Sequence, residues 1–305
     1  MAMDRRSFLL GTVFAAISAR VAASNSIIPL WSEPPPGGGG PSGSLQKSDR
    51  GAVSNIVVPN VEVFMPGQAN GASVLIAAGG GYKRIELEQE AYPTARWLTA
   101  RGITAFVLTY RLPREGWSNG PFAPLQDAQR ALRIMRAEAS NRRLDPTRIG
   151  VLGFSAGGHL MGLAATRSAF ASYQPVDAVD SQSARPDLAA LIYPVITLKP
   201  PYDHTSARRS LVGTHPEAQA SAQWSVETQV RSGCPPVFLV QAEDDPISDP
   251  ANTLIMADAC NRAGVPAELH RLPRGGHGFG MGKPAMPSAE WPAWWEAWLR
   301  NHGFL

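Results

Sequence analysis

Residues 149–163 read Ile149-Gly150-Val151-Leu152-Gly153-Phe154-Ser155-Ala156-Gly157-Gly158-His159-Leu160-Met161-Gly162-Leu163. The apolar, β-branched run from Ile149 to Gly153 predicts a buried strand, and the stretch from Ala156 predicts a helix. A chain that passes from strand to helix in so few residues has to turn sharply. Small residues at Gly153 and Gly157 remove the side chains that would collide in that turn. The turn pushes the Ser155 side chain out at the upper edge of a sheet. The helix beginning at Ala156 directs backbone N–H groups and its positive end at charge developing beside Ser155. A Gly-x-Ser-x-Gly pattern alone recurs by chance; set between a strand and a helix it marks Ser155 as a candidate nucleophile and the Ala156 N–H as a candidate oxyanion donor. His159 lies one turn into the helix, away from the late loop that supplies the base in such sites, and reads as a structural histidine.

Outward from this stretch, strand and helix patterns alternate. Val74 to Ile76, Thr104 to Tyr110, Leu188 to Ile196, Val237 to Gln241 and Ala267 to Leu272 read as strands. Helices are expected over Glu86 to Ala100, Leu125 to Ala139 and Ala251 to Ala263. A last helix carries Trp291, Trp294, Trp295 and Trp298 at a spacing that suits core packing. Such alternation predicts an α/β fold with a mostly parallel sheet covered on both faces by helices. Residues 197–232 have no clear period and predict a small cap or long loop over the C-terminal edge of the sheet, where ligands bind in such folds.

The N-terminus reads as an export signal rather than as part of the fold. Arg5-Arg6 precedes Ser7-Phe8-Leu9-Leu10 and a short apolar run from Gly11 to Ile17, and Val21-Ala22-Ala23 suits cleavage after Ala23. The run is too short to span a bilayer comfortably. The paired arginines resemble a bacterial twin-arginine signal, with the Sec route as the alternative. Residues 1–23 are thus expected to be removed, placing the mature chain in the periplasm or outside the cell. Residues 24–50, rich in Pro, Gly and Ser, are expected to be a tether, and residues 51–305 the folded domain. A formal net charge of +3 without a dense Lys/Arg stripe argues against nucleic acid as a partner. Cys234 and Cys260 are the only cysteines and have no CxxC spacing, so a zinc cluster is not expected. Export would permit a bridge between them if their Cα atoms lie within about 7 Å.

Ala78-Gly79-Gly80-Gly81-Tyr82 follows the strand at Val74 directly. Three bare glycines let backbone N–H groups approach a substrate carbonyl, which makes Gly80 and Gly81 the expected partners of Ala156 in an oxyanion hole. At this point a resemblance becomes specific. The run resembles the HGGG-type motif of carboxylesterases and lipases in the α/β-hydrolase superfamily, with Ala78 where the motif has histidine. Tyr110-Arg111-Leu112, Asp127 near a helix start and Gly153 to His159 also match that pattern, and the resemblance covers roughly residues 55–304. Within the superfamily, the AGGGY and GFSAGGH pair looks most like bacterial xylanase-like or acetylxylan-type esterases. The oxyanion donors are backbone groups, so the missing histidine is not expected to abolish activity.

The resemblance implies a triad in the order Ser, acid, His. Aligned on Gln241-Ala242, the family's HGxxDxxV pattern places the acid at Asp245, although Gln241 replaces its histidine and Ser248 its valine; Asp244 is the alternative. Of the histidines after Asp245, His270 falls in a predicted strand and His302 at the C-terminus. His277, in Gly275-Gly276-His277-Gly278-Phe279 just after the last strand, is the expected base. Short acyl esters, acetyl above all, on a sugar or other polar alcohol are the substrates this implies, with no metal or cofactor. Tyr82, Trp117 and Trp224 fall in segments expected near Ser155, where they either stack on a sugar ring or pack the cap. The cap has no long apolar run to cradle a fatty chain. A serine exopeptidase on the same fold would need a large extra domain, and a non-catalytic binding protein would be expected to lack a triad member.

Overall fold

The computed structural model describes residues 26–305; the export signal expected at residues 1–23 lies outside the described residues. Ten strands and eight helices follow in chain order. The strands are β1 (Ser26–Pro29), β2 (Gln46–Lys47), β3 (Val53–Ser54), β4 (Asn60–Phe64), β5 (Ser73–Ala77), β6 (Thr104–Thr109), β7 (Ile149–Phe154), β8 (Leu188–Ile192), β9 (Val237–Ala242) and β10 (Ala267–Leu272). The helices are α1 (Tyr92–Thr99), α2 (Ala123–Ala137), α3 (Ala139–Arg142), α4 (Ser155–Thr166), α5 (Ser206–Val212), α6 (Ala218–Trp224), α7 (Ala251–Arg262) and α8 (Trp291–Asn301).

Eight strands form one sheet in the order β1-β4-β6-β5-β7-β8-β9-β10. From β6 to β10 every pairing is parallel, whereas β4 runs antiparallel to both β1 and β6. The inner parallel strands are buried along their whole length because helices flank the sheet; β5, β6, β7, β8 and β9 have no exposed residue, whereas β10 at the edge is mostly exposed or half-buried. Three of the four tryptophans expected in the core pack there: Trp291, Trp295 and Trp298 are buried, and Trp295 stacks on Trp97 of α1 at 5.0 Å, whereas Trp294 is half-buried and stacks on His270. This is the α/β-hydrolase architecture that the sequence led one to expect.

Residues 26–50 depart from the expected tether. β1 closes the antiparallel edge of the sheet on β4, and behind it Leu30 and Trp31 are buried. The Trp31 indole N–H donates to Asp127 at 2.8 Å, inside the buried Arg111–Asp127 ion pair. Burying Leu30 alone contributes about 2 kcal/mol, and the edge hydrogen bonds help to order a segment whose composition reads as polar. Two predicted elements also change. The strand expected from Leu188 to Ile196 ends at Ile192, because Tyr193 turns at φ +39° and Pro194 has no N–H to extend the ladder. The helix expected from Glu86 begins as a π-helical turn, Leu87–Ala91, before α1. Residues 197–232 form the expected cap, made of α5, α6 and a 3-10 turn at Glu227–Gln229.

Candidate active site

The parallel strands end at one edge, and the loops that leave them there carry the candidate residues. In register, Ala77 of β5 pairs with Gly153 of β7, and Gly153 with Leu191 of β8. The glycine loop, Ser155 and Tyr193 therefore leave the sheet side by side. Ser155 has φ +51°, a left-handed conformation that serine adopts only under constraint. The constraint is the closeness of the turn: a Cβ on Gly157 would stand 2.1 Å from the Ala77 carbonyl oxygen.

The structure brings Ser155, His277 and Asp245 into one hydrogen-bonded line. Ser155 Oγ lies 2.8 Å from His277 Nε2, and His277 Nδ1 lies 2.8 Å from Asp245 Oδ2. A carboxylate only accepts, so Nδ1 carries the proton and the lone pair of Nε2 faces the serine hydroxyl. Asp245 is itself held: its Oδ1 accepts the N–H groups of Ile247 and Ser248, and Gln241 Nε2 donates to its Oδ2 at 2.9 Å. Gln241, the departure from the family pattern, thus supports the carboxylate. Asp244, the alternative acid, is exposed and accepts the N–H groups of Gly275 and Gly276, at 2.8 and 2.7 Å. The Gly276 N–H above all holds its carboxyl below the usual range. Asp244 fixes the loop that bears His277; it does not touch the imidazole.

Opposite Ser155, the glycine loop divides its amides. The Gly79 N–H is spent on Glu90, at 2.5 Å, while among the described residues the N–H groups of Gly80 and Gly81 have no protein acceptor. A Cβ on Gly80, whose φ is +122°, would lie 2.2 Å from the Arg84 carbonyl oxygen, so only glycine fits there. Ser210 of α5 donates to the Gly81 carbonyl at 3.1 Å and braces the loop from the cap. With the Ala156 N–H in the first turn of α4, which has no partner within the helix, these amides form the candidate oxyanion hole.

A family model described as BD-FAE matches residues 61–259, which hold the glycine loop, Ser155 and Asp245. The chain belongs to the BD-FAE family. Similar proteins agree with this. An acetylxylan esterase of Xylanibacter ruminicola is 27% identical over 92% of this chain, and an endo-1,4-beta-xylanase B of Butyrivibrio fibrisolvens 33% identical over 68%. The chain spans 51% and 32% of their respective lengths. The crystal structure of an acetyl ester-xyloside bifunctional hydrolase from Caldicellulosiruptor lactoaceticus superposes with a TM-score of 0.75. It shares 35% identity over 92% of this chain and 97% of its own. The protein is an α/β-hydrolase and a homologue of esterases.

In this BD-FAE domain the three aromatic rings expected to meet substrate do not. Tyr82 is 1% exposed, and its hydroxyl lies 2.9 Å from His159 Nδ1. Trp224 packs edge-on to Phe122, and its carbonyl lies 2.7 Å from His159 Nε2. A carbonyl only accepts, so Nε2 donates to it and Nδ1 receives the Tyr82 hydroxyl. Burial drops the His159 pKa to about 4, which keeps the ring neutral and structural, as its place in the helix implied. Trp117 is buried against Gly40 and the Arg111 guanidinium. All three rings pack the domain because large apolar faces gain more from burial than from a polar rim.

The cleft at Ser155 has a volume of about 330 Å³. Val195, Ala207 and Ile247 line it beside His277, and Lys83, Arg84, Glu86 and Gln89 contribute polar groups. Glu90, which no sequence signal marked, also lines it. Burial pushes its carboxyl from 4.5 to about 7, despite the Gly79 N–H and Tyr193 hydroxyl that favour the anion. Keeping Glu90 ionised therefore costs roughly 3 kcal/mol. The corresponding stability is present below the unfolded pKa and is lost as pH rises through about 7. Among the described residues no His, Cys, Asp or Glu cluster is arranged to hold a metal ion, and no helix is long and apolar enough to cross a membrane. Cys234 and Cys260 are free thiols.

Proposed function

We propose that the protein hydrolyses short acyl esters, acetyl esters above all, of a saccharide or other polar alcohol through a Ser-His-Asp mechanism. The observation that carries this reading is the unbroken hydrogen-bonded line from Ser155 through His277 to Asp245 beside the free amides of Gly80 and Gly81. Ser155 Oγ attacks the ester carbonyl carbon while His277 Nε2 takes its proton. The negative charge that forms on the carbonyl oxygen meets the N–H groups of Gly80, Gly81 and Ala156. Collapse of this intermediate breaks the bond to the alcohol oxygen, which leaves with the proton from Nε2, and the acyl group stays on Ser155. Water, deprotonated by His277, then releases the acid and restores the serine. Asp245 keeps the imidazole in the required tautomer and stabilises its cation.

Acetyl is favoured because the cleft beside Ser155 is small, about 330 Å³, and its apolar side chains are few: Val195, Ala207 and Ile247. A polar alcohol is favoured because Lys83, Arg84, Glu86 and Gln89 line the same cleft. The names of the relatives, an acetylxylan esterase and an acetyl ester-xyloside hydrolase, support both choices. On a series of 4-nitrophenyl esters, kcat/KM is expected to be highest for acetate and to fall beyond butyrate, since each methylene left in water forfeits about 0.8 kcal/mol. Acetate should also be released from acetylated xylan. A preference for octanoate would overturn the short-acyl reading, and failure on every acetylated saccharide would remove the sugar.

We further propose that the chain is exported by the twin-arginine route, on the strength of Arg5-Arg6 and the apolar run behind them. Replacing both arginines by lysine is expected to leave unprocessed precursor in the cytoplasm. Normal processing of that variant would point to the Sec route.

A further inference from the structure

Glu90 is a buried carboxylate that none of the hydrolytic steps uses. The π-helical turn Leu87–Ala91 turns its side chain inward, beneath the glycine loop. Such turns are uncommon in helices and are frequently found at functional sites. Each carboxylate oxygen takes one donor from a different wall of the site. Oε2 accepts the Gly79 N–H at 2.5 Å, and Oε1 accepts the Tyr193 hydroxyl at 2.8 Å. The Tyr193 oxygen in turn accepts the Gly280 N–H at 3.0 Å, and its ring lies edge-on to the His277 imidazole at 5.0 Å. One carboxylate therefore ties the glycine loop, which holds the oxyanion donors, to the loop that carries the base.

We propose that Glu90 is a positioning residue whose ionised carboxylate holds the oxyanion loop and the His277 loop in register, so that the site works only while Glu90 is deprotonated. The proposal rests on the esterase reading above. An amide does not reproduce both bonds: glutamine has one acceptor oxygen, so with that oxygen on the Gly79 N–H its NH2 faces the Tyr193 oxygen and leaves the hydroxyl hydrogen without this acceptor. A proton on Oε1 would likewise oblige the Tyr193 hydroxyl to accept instead of donate, although its oxygen already accepts the Gly280 N–H. The titratable groups facing Glu90 are Glu86 on the turn before it, Tyr110 after β6, Tyr193 after β8 and His277 in the base loop, with Asp245 facing Tyr193 and Lys83 and Arg84 lining the same cleft. Burial is the largest influence on Glu90 and pushes its pKa to about 7, while His277 favours the anion. A carboxylate kept at such cost beside reacting groups is characteristic of a functional position.

The test is steady-state hydrolysis of 4-nitrophenyl acetate between pH 5 and 9 by the wild type, Glu90→Gln, Tyr193→Phe and the double variant. Glu90→Gln is expected to lower kcat by on the order of 100-fold with KM within about threefold, the pattern of misplaced catalytic groups. On the acid side, log kcat/KM of the wild type should carry an additional loss below about pH 7, because Glu90 must give up its proton. In Glu90→Gln that additional loss should be absent. Tyr193→Phe keeps the ring on His277 but cuts the tie, and its effect should not add to that of Glu90→Gln. A Glu90→Gln enzyme with kcat within about threefold of wild type, or with an unchanged acid limb, would overturn the proposal. If that variant does not fold, Tyr193→Phe decides: normal turnover with an unchanged acid limb would overturn the proposal equally. An inactive wild type would overturn the esterase reading and this proposal with it, whereas an active wild type with unperturbed variants overturns this proposal alone.

Discussion

Ser155→Ala is expected to lower kcat on 4-nitrophenyl acetate by on the order of 10⁴-fold or more, with KM little changed. The alanine keeps the turn but removes the hydroxyl oxygen that stands 2.8 Å from His277 Nε2. Hydrolysis would then depend on water attacking an ester held by the Gly80, Gly81 and Ala156 amides, the route that leaves residual activity when a triad is broken. Ser155 is buried and already held at φ +51°, and alanine is no more strained there than serine. The thermal midpoint should therefore stay within a few degrees of wild type. Stopped-flow or steady-state release of 4-nitrophenolate measures the loss, and a variant within tenfold of wild type would show that another group attacks the ester.

The second large effect separates the two neighbouring aspartates. Asp245→Asn should cost on the order of 10⁴-fold in kcat, because an amide facing His277 Nδ1 favours the tautomer that turns a proton, not a lone pair, toward Ser155. Asp245 also accepts from Gln241, Ile247 and Ser248, so its replacement leaves buried donors poorly matched. Asp244→Asn should cost less than about tenfold. Its carbonyl oxygen can still accept the Gly275 and Gly276 amides, and the side chain is exposed. Parallel kinetics on the two variants decide the matter; a reversal of the two losses would move the acid to Asp244.

Much of this site was legible before the structure because its parts sit at strand ends. The inner parallel strands read as largely apolar runs, and the residues that follow the parallel strands include glycine, serine, aspartate and histidine in the order of a converging edge. The two aspartates could not be separated by spacing alone: they are adjacent, and the turn that buries Asp245 and exposes Asp244 depends on β9 and the His277 loop together. Whether the aromatic rings stack on a sugar or pack the domain stayed open for a related reason. Position near an edge says nothing about which way a ring faces, and Tyr82, Trp117 and Trp224 all turn inward. Composition also misled at residues 26–50, where Leu30 and Trp31 order a segment of Pro, Gly and Ser. Glu90 left no trace in the apolar pattern, since a π-helical turn shifts the register by which a helix face is read.

Covalent labelling of the serine is the most direct test of the central claim. A 4-nitrophenyl phosphate triester places an electrophilic phosphorus where the ester carbonyl would bind, and attack by Ser155 Oγ expels 4-nitrophenolate and leaves a phosphoryl group on the enzyme. Intact mass measurement followed by peptide mapping should show one phosphoryl group per chain, carried by Ser155, formed in step with the loss of acetate-ester hydrolysis and absent from Ser155→Ala. Full activity after labelling, or a label on any other residue that accounts for the inactivation, would contradict the account.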